Sequence, residues 1–282
     1  MRKYIKYTIE SIKIGGFKLF LISLKYFLLK KAPKNNIRIN NSIMGIYSCR
    51  ENTTDFMYAF FSYENKIKSK IISTIDDFDT FIDIGACIGD YSIWLAKNNL
   101  KCFAFEPNKD NYNSLINNIE LNNLTESIET YNYGLGKKTE KVFFETNITN
   151  RGYSGKYVNF KEGFKEEVEI KTFDEIFESM GISYNQSIII KIDAEGHDYN
   201  VLLGLKSTIL KSRTKFIHFE MNWHNLFSNY NVYKIASEFK KYDLYRILPY
   251  KSGLLKVDIH HPNNNLFHLS NFVLVRKDIK II

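Results

Sequence analysis

The sequence predicts a doubly wound α/β fold: a mostly parallel sheet with helices on both faces, preceded by a helical extension. Three observations carry this. From Phe78 onward, short apolar runs alternate with helix-patterned stretches, an order that implies parallel pairing and right-handed crossovers. The first run, TFIDI, stops at a polar, glycine-containing turn, Asp83-Ile84-Gly85-Ala86-Cys87-Ile88-Gly89, just before a helix pattern. Near the end of the chain LYRIL and NFVLVRK are suited to close the sheet as an antiparallel pair.

The extension comes first, in residues 1–70, with the sheet domain expected over 71–282. Residues 4–31 read as helix broken at Gly15-Gly16, with Ile5, Ile9 and Ile12 at helical spacing. Lys13, Lys18 and Lys25 interrupt the apolar residues, which argues against a spanning helix, and no small-residue cleavage site marks a signal peptide. Three roles stay open for this stripe: packing on its own domain, packing on a second subunit in a homodimer, or lying on a membrane surface at the inner face. Pro33 and the polar KNN close the segment.

In the sheet domain TFIDI and KCFAFE are strands, each followed by a helix, Tyr91 to Asn98 and then Asp110 to Asn122, and SIETYNY is the third strand. KVFFET and EEVEIKTF alternate apolar with polar residues, as half-exposed strands or a flap would. SIIIKID is a fully buried strand by composition, YNVLLGLKSTILKS a helix, KFIHFEMN a further buried strand, and Lys234 to Lys241 a last helix.

Composition narrows the class without deciding it. A hydrophobic fraction of 44% over 282 residues supplies a large core, and 25% charged residues is ordinary for a globular protein. The net charge of +8 favours weak attraction to phosphates or anionic surfaces, but Lys, Asn and Ile are frequent throughout and the excess reads first as a compositional bias reaching every surface. Cys49, Cys87 and Cys102 form no CxxC, so neither a disulfide framework nor a zinc site is suggested, and a reducing, cytoplasmic setting is expected.

Open α/β sheets bind ligands beyond the carboxyl ends of their strands, which is where the glycine turn falls. The dinucleotide pattern G-x-G-x-x-G fails, because Cys87 and Asp90 occupy its second and third glycine positions. What stands instead is D-x-G-x-x-x-G, with Gly85, Ala86 and Gly89 supplying close backbone and Asp83 an anion that repels phosphate and suits a cationic or amino-bearing ligand. Glu106 ends the second strand, about 20 residues beyond the turn, where an acid accepts both hydroxyls of a ribose. A nucleoside with a positively charged tail fits both, and S-adenosylmethionine is such a molecule.

The stretches FIDIGACIGDYS, FAFEPN, YNYGLG, VEIKTFDE and, above all, IIKIDAEGHDYNVLLG make the chain resemble the FkbM-type methyltransferases from about Phe78 to Val275. The resemblance implies the class I, Rossmann-like methyltransferase fold with a seven-stranded sheet, and S-adenosylmethionine as cofactor. It further implies O-methylation of a sugar or other hydroxyl in polysaccharide, glycolipid or antibiotic assembly, with a free or nucleotide-linked sugar as partner.

A hydroxyl is a poor nucleophile while protonated, and a positioned base contributes about 10²- to 10⁴-fold. Asp193, at the end of the fourth strand, is the first candidate for that base, or for the carboxylate that orients the acceptor hydroxyl, and also borders the cofactor; its other reading is a helix N-cap. Glu195 is assigned to the acceptor, with the methionine amine or the turn itself as other roles. His197 reads as a proton acceptor or as a surface residue. His218 and Glu220 share one face of the fifth strand: Glu220 as a catalytic carboxylate pointing into the same cleft, His218 as an acceptor contact or a satisfied core histidine. Arg151, in NRGYSGKY between the third and fourth strands, would pair a nucleotide-sugar phosphate unless that segment is a plain turn. His224, His260 and His261 have no ligand spacing and are taken as surface, and nothing in the spacing requires a divalent ion at Asp193, Glu195 and Glu220.

Two other readings remain. Ribose 2′-O-methylation of RNA draws on Lys191, Asp193 and Glu220, against dispersed basic residues and no appended RNA-binding module. A non-catalytic, membrane-attached scaffold draws on the N-terminal segment, against the intact set Asp83, Gly85, Gly89 and Glu106. DAEG stands where an N-methyltransferase carries N/D-P-P-Y/F.

Overall fold

The computed structural model describes residues 2–147, 154–155, 163–222, 230–248, 253–261 and 269–278. In chain order the N-terminal segment forms helix α1 (Arg2–Leu29), strands β1 (Ile37–Asn41) and β2 (Gly45–Cys49), and helices α2 (Asp55–Tyr58) and α3 (Asn65–Ile72). The parallel core follows: β3 (Thr80–Ile84), α4 (Asp90–Ala96), β4 (Lys101–Phe105), α5 (Lys109–Leu121) and β5 (Ile128–Tyr131). Next come β6 (Gly134–Leu135), β7 (Glu140–Asn147), β8 (Ser154–Gly155), β9 (Gly163–Lys171) and α6 (Phe173–Ile176). The chain then returns to the main sheet through β10 (Ser187–Ile192), α7 (Asp198–Gly204), α8 (Lys206–Lys211), β11 (Arg213–Asn222), α9 (Val232–Glu238), β12 (Tyr242–Ile247), β13 (Leu254–Lys256) and β14 (Leu269–Arg276).

The main sheet has the order β13-β12-β14-β11-β10-β3-β4-β5. Strands β11, β10, β3, β4 and β5 are parallel, and β14 inserts antiparallel between β11 and β12. The doubly wound class and the closing antiparallel pair are therefore present, with eight strands rather than seven. The additional strand, β13, is three residues long and pairs only at the edge. Strand order reverses between β3 and β10, so their carboxyl ends open a crevice at the switch point.

One face of the sheet, carrying Phe81, Ala104, Ile189 and Phe216, packs on α4, α5 and the N-terminal segment; the other, carrying Ile82, Ile190 and Ile217, packs on α6 to α9. The N-terminal segment is not purely helical as expected. It includes the β1–β2 hairpin, and amides of α5 and of the residue that ends it take over the pairing that β2 lacks: Asn118 Oδ1 accepts Ser48 N–H at 2.8 Å, and the C-cap Asn122 accepts from Ile46 N–H at 2.8 Å and donates to its carbonyl at 2.7 Å. Backbone groups of an otherwise open strand edge are thereby satisfied. Helix α1 bends at Gly16, whose φ of 61° breaks the helical path. Strands β7 and β9 form the centre of a separate four-stranded sheet.

Candidate functional site

The site begins with a conflict in the middle of the sheet. β3 and β10 are apolar and wholly buried, yet their register sets Asp83 beside Lys191, and Lys191 beside His218 on β11. Residues in one row of a parallel sheet share a face, so three ionisable side chains lie abreast, all buried. Asp193, the first residue beyond β10, and Glu220, two residues beyond His218 on β11, extend the row towards the crevice.

A buried charge persists only when it is paired. The Lys191 ammonium lies 3.0 Å from Asp193 Oδ2 and 4.9 Å from the centre of the Tyr91 ring. Burial pulls its pKa down, but the carboxylates of Asp193, Asp83, Glu64 and Asp90 outweigh burial and hold the proton firmly. Asp83 accepts from Ser92 Oγ at 2.6 Å through Oδ2, while its buried Oδ1 has no hydrogen-bond partner. Burial raises the Asp83 pKa, against the pull of Lys191 and Ser92.

Around this row stand groups from elements outside the core strands. Glu64, at the start of α3 with φ 52°, accepts from Tyr91 Oη at 3.0 Å, and burial raises its pKa. Lys68 is fully buried; it donates to Phe60 O at 3.2 Å, lies 3.6 Å from Asp90 Oδ2 and has its pKa lowered by burial. Asp90 is pushed up to about 6 by burial, with Lys68 and Lys191 opposing. Four carboxylates thus face two ammonium groups, and this acidic surplus favours a bound cation.

The second corner is Glu106, buried just past the end of β4. Its Oε2 accepts Cys87 N–H at 2.8 Å and its Oε1 accepts Asn108 N–H at 2.9 Å, while burial pushes its pKa up to about 7. The left-handed φ of Cys87, 49°, belongs to the turn that supplies the first of these donors. The Asn111 side chain bonds the same carboxylate, which keeps lone-pair capacity beyond these three bonds for a ligand hydroxyl. Arg50, just after β2, reaches the same corner: Nε and Nη2 fork on Asp55 at 2.8 and 3.0 Å, Nη2 also donates to Asn111 Oδ1 at 2.9 Å, and the buried Nη1 has no partner.

The glycines of the turn serve the chain itself. A Cβ on Gly85, whose φ is +81°, would sit 2.0 Å from Asp193 O, and one on Gly89, with φ +87°, would sit 2.5 Å from Leu115 Cδ1. The close approach that the sequence signals is thus of β3 to the end of β10, locked by Asp193 N–H to Ile84 O at 2.9 Å. Ala86 is buried in the same turn, its N–H bonded to Phe105 O at 3.0 Å.

Among the other expected residues, Asp193 does not cap a helix, because α7 begins at Asp198 with His197 at its N-cap. His197 is buried instead of lying in an exposed turn, with Nδ1 3.2 Å from Asn200 Nδ2 and Nε2 packed beside Gly136. His218 bonds Asn271 Oδ1 through Nε2 at 2.7 Å, and burial lowers its pKa to about 4, so it is a neutral core histidine within the polar row. Glu195 adopts φ 47° in the turn after β10, and Glu220 is half-buried in β11. Arg151, most of its segment and His224 lie outside the described residues, whereas His260 and His261 are exposed. No group of three acidic, histidine or cysteine residues suited to a metal occurs among the described residues. Sequence reading missed Arg50, Glu64, Lys68 and Asp90. It also missed Asp198, whose Oδ1 accepts Glu220 N–H at 3.1 Å, whose Oδ2 is buried without a partner and whose pKa burial pushes up to about 7.

A family model described as the methyltransferase FkbM domain matches residues 83–246. No curated protein matches the chain in sequence. Among solved structures, the FkbM methyltransferase of Methylobacillus flagellatus is similar at 16% identity and TM-score 0.42, over 78% of this chain and 53% of that one, so the chain spans about half the length of that protein. The O-methyltransferase of Bacillus cereus in complex with SAH is similar at 13% identity and TM-score 0.42, over 75% and 80%. The N-terminal domain of human METTL16 in complex with SAH is similar at 12% identity and TM-score 0.42, over 93% and 82%. At these scores the assignment rests on the family match.

Proposed function

The chain belongs to the FkbM methyltransferase domain family, and from that premise we propose that it transfers a methyl group from S-adenosylmethionine to a hydroxyl of a sugar, either in a glycan or glycolipid or on a nucleotide-activated precursor. The observation that carries the choice of donor is the surplus of carboxylates at the carboxyl ends of β3 and β10, together with the partnerless Oδ1 of Asp83. A cationic donor offsets that surplus, and Glu106 has lone pairs for ribose hydroxyls. When bound, the donor supplies an electrophilic methyl group on a sulfonium.

Asp193 is the base. Its side chain is 35% exposed, so it meets both the buried Lys191 that orients it and the solvent from which an acceptor arrives. With the donor held by Glu106 and the acidic row, methyl transfer to the acceptor oxygen would leave the sulfur neutral, and Asp193 would take the hydroxyl proton that the transfer releases. Alignment of oxygen, carbon and sulfur supplies a large part of the rate.

Ribose 2′-O-methylation of RNA is the second reading, favoured by one finding: Lys68 and Glu64 join Lys191 and Asp193 in a lysine, aspartate, lysine, glutamate group. Lys68, however, is sealed beneath Tyr91 and Phe60 O.

Calorimetric titration of the full chain with S-adenosylmethionine is expected to show saturable binding that Glu106→Ala abolishes. Methyl transfer from labelled donor is then expected to glycans or nucleotide sugars and not to RNA. Undiminished binding by Glu106→Ala overturns the ribose assignment, and label in RNA overturns the acceptor.

A further inference from the structure

Helix α1 turns two different faces to its surroundings. Leu19 and Ser23 are buried against the body of the protein, and Tyr26 meets Phe56 edge-on at 5.6 Å. On the opposite side Phe17, Leu21, Leu24 and Leu28 recur at spacings of three and four, which puts them on one stripe, and their exposures are 71, 47, 37 and 72%. Before the bend at Gly16, Ile9 and Ile12, each 50% exposed, continue an outward apolar face. Single exposed apolar residues need no explanation, but a contiguous stripe marks an interaction surface.

Charge identifies what that surface meets. Residues 1–34 hold nine of the 39 lysines and arginines and one of the 31 acids, so this stretch carries the whole net charge of +8 and the rest of the chain is neutral. The excess is therefore local, and the alternative of a general compositional bias is set aside. The single acid, Glu10, is turned inward, accepting Phe61 N–H at 2.6 Å and Ser62 N–H at 2.7 Å. Lys13, Lys18 and Lys25 are exposed beside the stripe. Two copies of so positive a segment repel each other, which disfavours a second chain as the occupant. No helix among the described residues is long and apolar enough to cross a membrane.

We propose that α1 lies in the plane of an anionic phospholipid surface, its apolar stripe in the headgroup boundary and its lysines against the phosphates. Glu10 docks the first half of this helix on the Phe61–Ser62 turn, two residues from Glu64.

The test is co-sedimentation of the full chain with vesicles of phosphatidylcholine alone or mixed with phosphatidylglycerol. Retention is expected on the mixed vesicles only, falling as salt screens the lysines. The variant Phe17→Asp/Leu21→Asp/Leu28→Asp, which alters exposed positions only, is expected to keep its thermal melt and its affinity for S-adenosylmethionine yet lose retention by about tenfold or more. No retention on anionic vesicles, equal retention on neutral ones, or a wild-type dimer that this variant dissociates would each overturn the proposal.

Discussion

The central sheet and helix α1 depart from the usual distribution of residues in opposite senses. In the sheet, Asp83, Lys191 and His218 occupy buried positions that apolar residues fill elsewhere in the same strands. On α1, Phe17 and Leu28 stand in solvent where lysine would serve better. An exposed leucine taken singly says little and a buried charge says much, so the two regions differ in how strongly each points to function. The sheet holds a set of charges that balance only with a cation added. The N-terminal stretch, residues 1–34, holds a repeated apolar stripe and all of the net positive charge, which balance only against an apolar, anionic surface.

The hardest way to break this contrast is to remove the central cation of the row. Lys191→Met keeps the length of the side chain and its apolar stem while leaving Asp83 and Asp193 facing each other. Loss of one partner of a buried pair costs about 3–5 kcal/mol, to be read from urea unfolding at pH 8. Leu28→Asp on α1 is expected to change stability by under about 0.5 kcal/mol in the same measurement. A Lys191→Met variant as stable as wild type would mean that the row is already balanced without it.

The sequence made some of this legible and hid the rest for physical reasons. TFIDI and SIIIKI are recognisable because burial on both faces requires continuous apolar runs, and alternation with helices then dictates parallel pairing. The fifth parallel partner and the antiparallel β14 followed from the same pattern. β1 and β2 were hidden because their alternation is interrupted by Asn41, a polar residue buried through its bonds to Ala59 O, Ile43 N–H and Met44 N–H. In the site, Asp83 and Glu106 were visible by their place at strand ends. Arg50 and Glu64 were not, since they stand outside the core strands and only tertiary packing brings them to the site, and Lys68 was not, since NKIKSKII reads as a solvated helix and packing alone reveals which lysine points inward. The exposed-turn alternative for His197 failed from the same cause: turn position suggests exposure, and the small residue Gly136 makes room for burial.

A smaller but more specific effect sharpens the role of the exposed end of the row. Asp193→Asn retains the shape and a carbonyl oxygen for Lys191 but accepts no proton from an acceptor hydroxyl. Turnover is expected to fall by about 10²- to 10⁴-fold with donor affinity nearly unchanged, measured by single-turnover methyl transfer beside calorimetry. An equal loss in donor affinity would make Asp193 a binding group, and full turnover would remove it from the chemistry.

The smallest effect separates the two corners of the site by pH. Glu106 and Asp90 have pKa values raised by burial to about 7 and about 6. A carboxyl raised in the folded chain stabilises the fold below its unfolded value and loses that contribution as pH rises through the folded one, so the free protein is expected to melt lower at pH 8 than at pH 5. Donor binding runs the other way, since ribose hydroxyls donating to Glu106 and a cation near Asp90 both favour the ionised forms. Affinity for S-adenosylmethionine is expected to rise about tenfold from pH 6 to pH 8 through Glu106 alone and to fall further below pH 6 as Asp90 protonates. His218, neutral down to about pH 4, adds no step in this range. Glu106→Gln removes the step near 7 and leaves the one near 6, because Asp90 lies with Lys68 and Lys191 on the other side of the turn. An affinity independent of pH in wild type would mean that neither carboxyl meets the donor, and the site would then have to be sought away from the ends of β3 and β4.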